Sequence, residues 1–123
     1  MSVSVQNVGG TASSLHVNDL DGGTSNHGGT WTATVVIGVE DDQWNAVPGA
    51  MVVVNWAGVS STGTVYCTTV LQGRCAVSVP LSKRESLVTF TVDSINHSLP
   101  YVAADNHDVD ADSDGTTITL FKP

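Results

Sequence analysis

Between Trp31 and Val39 the chain alternates strictly, with Trp31, Ala33, Val35, Ile37 and Val39 on one phase and Thr32, Thr34, Val36 and Gly38 on the other. Successive side chains of an extended strand point to opposite faces, so this pattern sets one apolar row against a core. A helix would scatter the same row around its circumference. The period recurs downstream: Ala50, Val52, Val54 and Trp56 share a face, while Met51 and Val53 make the opposite face apolar too. Further strands are expected over residues 14–17, 64–68, 75–79, 87–92, 101–103 and 116–121. Turn signals separate them, among them residues 41–45 and the pair Pro48-Gly49. Short strands at this spacing predict an all-β fold, a two-sheet β-sandwich of about seven or eight strands.

Composition points the same way. Hydrophobic residues make up 41% of the chain, with valine and alanine foremost, whereas charged residues reach only 13%. Exposed helices normally carry far more Glu, Lys and Arg, and no run of helical periodicity is present. The 123 residues suffice for one modest core, and no repeat or Pro-rich linker divides them. Residues 14–123 therefore read as one domain. Residues 1–13, with the strand-like Ser2-Val3-Ser4-Val5, read as a linker or an extra edge strand. The chain is expected to be a segment of a longer exported polypeptide, with Met1 added to it.

Twelve acidic residues against four basic ones give a formal charge of −8. Binding to nucleic acid or to an anionic membrane relies on Lys and Arg, so both partners are disfavoured. No stretch is apolar and long enough to span a bilayer. The two cysteines, Cys67 and Cys75, flank a short segment containing Gly73. They are expected to face each other across a hairpin and to form a disulfide, which implies an oxidising, extracellular setting. Two separate buried thiols are the alternative, and a zinc site would need further ligands.

The acid is concentrated. Asp108, Asp110, Asp112 and Asp114 alternate through Asp108-Val109-Asp110-Ala111-Asp112-Ser113-Asp114-Gly115. Alternating aspartates in a tight turn aim several carboxylates at one point, and calcium, a hard cation, takes six to eight oxygens. The stretch is no EF-hand, because Phe121 stands where a bidentate glutamate should be. It must borrow ligands, and the donor is expected to be the second acidic turn, Asn18-Asp19-Leu20-Asp21-Gly22-Gly23. Loops from distant positions gather at the ends of a sandwich, which would let Asp19 and Asp21 close the shell. A solvated acidic loop without metal is the alternative.

Catalytic patterns are missing: neither G-x-S-x-G nor H-E-x-x-H occurs. His16, His27, His97 and His107 are scattered and read as hydrogen-bonding residues; His107 lies inside the acidic loop, but calcium prefers oxygen to imidazole. Trp31 and Trp56 fall on apolar phases and are expected in the core. Trp44 sits in a turn and is the candidate for an exposed, ligand-binding indole.

Taken together, these residues resemble a known family. The pattern His16-Val17-x-Asp19-Leu20-Asp21-Gly22 is followed by Gly29-Thr30-Trp31-Thr32-Ala33-Thr34-Val35 and Val47-Pro48-Gly49-Ala50-x-Val52. Trp56 with Gly58, Cys67-Thr68-Thr69 with Gly73 and Cys75, and Val88-Thr89-Phe90-Thr91-Val92 come next. Asn106-His107-Asp108-x-Asp110-x-Asp112-Ser113-x-Gly115-Thr116 closes the series. The whole resembles the bacterial immunoglobulin-like domains at the C-termini of secreted subtilisin-like proteases and of other exported multidomain proteins. Val109 and Ala111 depart from it, standing where proline and glycine are expected. The resemblance implies an immunoglobulin-like sandwich, export, and an accessory role beside other domains of a parent polypeptide, with no activity of its own. The expected function is thus a non-catalytic, calcium-stabilised, monomeric spacer domain. A module binding polysaccharide or the substrate of an attached enzyme, and an adhesin-type surface domain, are the alternatives.

Overall fold

Seven strands among the described residues form two antiparallel sheets, in a computed structural model that describes residues 11–123. They are β1 (Leu15–Asn26), β2 (Thr30–Asp41), β3 (Met51–Gly58), β4 (Thr62–Thr68), β5 (Arg74–Ser82), β6 (Leu87–Asn96) and β7 (Thr117–Phe121). One sheet has the order β1-β2-β5 and the other β4-β3-β6-β7. The strand-like Ser2-Val3-Ser4-Val5 lies outside the described residues, and residues 11–14 carry no strand.

The alternation of β2 holds at every position: Trp31, Ala33, Val35, Ile37 and Val39 are all buried. They meet Val52 and Val54 of β3, Val77 and Val79 of β5, and Val88 and Phe90 of β6 in a single core. Each valine in this set, with Ile37 and Phe90, contributes about 1.5–3 kcal/mol by leaving water. The indole N–H of Trp31 donates to the carbonyls of Glu85 (2.9 Å) and Ser82 (3.2 Å), so the largest core residue keeps its polar atom satisfied. Trp56, expected in the core, continues the apolar row of β3 but is only half-buried, packing against the core's rim.

Three expectations from the sequence need correction. First, Asn18–Gly23 is no turn but part of β1, which runs on to Asn26. The pairing passes from Val17↔Val39 to Asp19↔Gly38, leaving Asn18 as an extra residue in a bulge. That residue reverses the side-chain phase: Leu15 and Val17 face inward before it and Leu20 after it, so Asp19 and Asp21 leave the core side. Second, residues 101–103 form no strand. Tyr101 makes an isolated bridge to Leu15, and Ala103–Asp105 is one turn of 3-10 helix. Third, Cys67 and Cys75 do form a disulfide, with Cα atoms 5.8 Å apart, but not across a hairpin. Cys67 belongs to β4 and Cys75 to β5, so the bridge joins the two sheets. Buried Thr69 steers the crossing by donating its hydroxyl to the Val47 carbonyl (2.6 Å).

The long connection from β6 to β7 runs along the outer edge of β1. Leu15 N donates to Pro100 O, Val102 N to Leu15 O, His107 N to Val17 O and Val109 N to Asn18 O. The loop thereby occupies backbone groups that an edge strand would leave exposed. It is also what brings the acidic residues of the last third of the chain against those of the first strand.

Candidate metal centre

Asn106 anchors this loop. Its Oδ1 accepts from the buried Val17 N–H (2.8 Å), and its Nδ2 donates to Tyr101 Oη (2.6 Å) and Thr116 Oγ1 (2.9 Å). Gly115, at φ +83°, then lets the chain fold back so closely on the His107 backbone that any β-carbon would collide with it. Between these two fixed points lies the acidic run.

Asp19, Asp108, Asp110 and Asp112 each bring one carboxylate oxygen within 4.8 Å of the others. Asp21, further along β1, lies against Asp19 and Asp110. Asp114 stands apart from that group. Its Oδ1 instead accepts from the backbone N–H of Thr116 (2.8 Å) and Thr117 (2.6 Å), where it starts β7. Of the six aspartates singled out from the sequence, four therefore converge, one adjoins them and one shapes the loop.

The environment of the four is uneven. Asp19 is only 3% exposed, and its Oδ1 has no hydrogen-bond partner among the described residues. Its Oδ2 faces the Arg74 guanidinium at 3.4 Å, and the same guanidinium is 4.0 Å from Asp21. Burial, reinforced by Asp108 and Asp21, pushes the Asp19 carboxyl up to about 7. Asp112 is also pushed up to about 7, chiefly by the neighbouring Asp108 carboxyl and then by burial. Asp110 moves upward for the same reasons. Asp108 is the exception: burial acts to raise it, yet Ser113 Oγ–H (2.5 Å) donates to it, and with the adjoining acids Asp110, Asp112 and Asp19 holds it well below the usual carboxylate range. Without metal the crowded carboxyls push Asp19, Asp110 and Asp112 upward around a depressed Asp108. A divalent cation would compete with the protons this crowding favours, and a buried carboxylate oxygen with no donor is a fitting ligand for it.

Beside this group lies a second constellation that the sequence reading missed. The register of β1 and β2 places His16 opposite Glu40, and the loop lays His107 against both. Glu40 Oε1 is 3.0 Å from His16 Nε2 and 3.4 Å from His107 Nε2. Trp44, 72% exposed as expected, stands edge-on to the two imidazoles with ring centroids 6.1 and 6.2 Å away. Nothing in local spacing could have joined His16, Glu40 and His107; only the pairing of β1 with β2 and the path of the loop do so.

Against protein-family models, curated proteins and solved structures, the chain gives no match.

Proposed function

We propose that this chain is a non-catalytic, calcium-stabilised, immunoglobulin-like accessory domain of a secreted bacterial multidomain protein. The observation that carries the reading is the convergence of Asp19 from the first strand with Asp108, Asp110 and Asp112 from the loop before the last. Only oxygen donors meet there, as a hard cation requires, and the orphaned Oδ1 of Asp19 supplies one inside the fold. The immunoglobulin-like part of the reading is supported by the strand order. Three strands face a sheet in which the fourth strand lies beside the third, much as an added strand extends the corresponding sheet of variable-type domains. The inter-sheet disulfide is consistent with an oxidising compartment.

In this reading calcium is a clasp. It fastens the β6–β7 loop to β1 and so seals the edge of the three-stranded sheet. At a hundredfold excess over its dissociation constant it would add about 2.7 kcal/mol to stability, a large share of a small domain's margin. Thermal unfolding in calcium and in chelator tests this. The midpoint should fall on chelation and recover with calcium; Asp112→Ala should stay low in both, and Asp93→Ala, on β6, should respond like the parent chain. A midpoint indifferent to chelator removes the clasp.

A second reading, a module that binds polysaccharide or the substrate of an attached enzyme, rests on the exposed Trp44. Retention on insoluble polysaccharide that is lost in Trp44→Ala would favour it over a spacer.

A further inference from the structure

His107 has its hydrogen-bonding fixed by its own loop. Its Nδ1 lies 3.2 Å from the Asp105 carbonyl, an acceptor only, so the ring proton of the neutral imidazole belongs on Nδ1. In that form Nε2 is free to act as a ligand, and it lies 3.4 Å from Glu40 Oε1. The other oxygen of Glu40 accepts from Asn18 Nδ2 at 3.2 Å, which holds the carboxylate in place. His16 Nε2 is 3.0 Å from the same Oε1, so three potential ligand atoms gather at the edge of the sheet.

We propose that His16, Glu40 and His107 form a second metal site, separate from the aspartate group, for a borderline divalent ion of the zinc class. Two imidazole nitrogens and one carboxylate oxygen suit zinc, copper or nickel, whereas calcium goes to the all-oxygen group alongside. Bonds of about 2.0–2.2 Å in a tetrahedral shell put neighbouring ligand atoms roughly 3.3–3.5 Å apart. The separations of 3.0 and 3.4 Å from Glu40 Oε1 need little adjustment to meet that geometry. A backbone carbonyl on the far nitrogen of His107 is the usual outer support of a metal-binding histidine, fixing both tautomer and ring orientation.

The three ligands leave a fourth position. His107 is 40% exposed at its side chain, and a polar recess of about 200 Å³ lined by Asn18, Glu40, Trp44 and Arg74 adjoins Glu40, which leaves room for water to complete the shell. His16 is less well supported. It is 3% exposed, and its Nδ1 has no partner among the described residues. Metal on its Nε2 would place an unpaired N–H there, so affinity should be about 10–100-fold weaker than in a fully supported site.

The test titrates the chain with zinc by calorimetry, and with cobalt by visible absorption, in millimolar calcium so that the aspartates are already engaged. One zinc per chain is expected, together with the strong visible bands of tetrahedral cobalt. His107→Ala should weaken zinc by at least about tenfold while keeping the parent's calcium-dependent melt, and Glu40→Gln serves as the second variant should that chain fail to fold. Asp112→Asn should bind zinc as the parent does, so loss of the calcium clasp and loss of this site are read separately. No saturable zinc binding, or equal binding by the parent and the variants at His107 and Glu40, overturns the proposal. Either result would leave the trio as an ion-paired hydrogen-bond network.

Discussion

Asp19, in the first strand, and Asp112, in the loop before the last, hold carboxylate oxygens within 4.8 Å of each other. Two like charges at that distance repel, which together with burial pushes both carboxyls upward and favours either protons or a cation among them. The stability of the sandwich should therefore depend on which of the two is present.

The first consequence is a pH dependence with a definite sign. The Asp19 and Asp112 carboxyls sit up at about 7, above the 3.8 of an ordinary aspartate. Between those values the folded chain keeps protons that the unfolded chain has released, so metal-free stability should fall as pH rises from roughly 4 to 7. Calcium should flatten the fall and release protons as it binds, giving an enthalpy that varies with buffer at about pH 6. A chelated melt that is level or rises across the window contradicts the arrangement.

Asn106 should act as the latch of the loop. Asn106→Ala would leave the buried Val17 N–H without its acceptor and free the loop from Tyr101 and Thr116. The expected cost is about 1–3 kcal/mol in denaturant unfolding, with calcium affinity reduced as well. A loss below about 0.5 kcal/mol would mean that the remaining backbone bonds to β1 suffice alone.

Ala111 is strained where the family resemblance expects glycine. Its φ of +62° lies in the left-handed region, which costs a residue with a β-carbon about 1–2 kcal/mol. Ala111→Gly should raise the chelated stability by about 1 kcal/mol after the added freedom of glycine in the unfolded chain is counted. Calcium affinity should rise or hold, and a destabilised variant would show that the β-carbon makes a contact worth more than the strain.

Glu85 should fail in acid rather than in chelator. It is 2% exposed and accepts from the backbone N–H of Ser60 (2.8 Å to Oε1) and Val59 (2.8 Å), and from the hydroxyls of Ser60 and Ser61. The Ser60 N–H foremost, with the serine hydroxyls and Val59, holds its carboxyl below the usual range despite burial. A lowered value stabilises above the ordinary carboxylate range and is lost as pH falls through it, so Glu85→Gln should be less stable than the parent at neutral pH, with the gap closing in acid. No gap at neutral pH, or one that persists undiminished in acid, would remove this role.

What could be read ahead and what could not divide along a physical line. The apolar row of β2 and the exposure of Trp44 follow from local rules of period and turn chemistry, and all are found in place. The convergence of acid from the two ends follows from ligand number and from the gathering of loops at the ends of a sandwich, but its route differs. Asp19 and Asp21 read as a turn, whereas one bulged residue keeps the strand going and turns both away from the core. The spacing Leu15, Val17, Leu20, an alternation with one residue too many, was the available signal. Asp114 continues the alternation, but its Oδ1 accepts from backbone N–H groups at the start of β7 and it is not among the four aspartates that meet.

The sequence by itself determined that this chain makes strands, which faces of them are dry and where its acid is concentrated, because each depends on neighbours a few residues away. Only the tertiary structure decided that Cys67 and Cys75 join different sheets, that Glu85 is enclosed by serines, and that His16, Glu40 and His107 meet. Those relationships arise from strand register and from the path of one loop along an edge, and register is set by the packing of the whole sheet rather than by any local run.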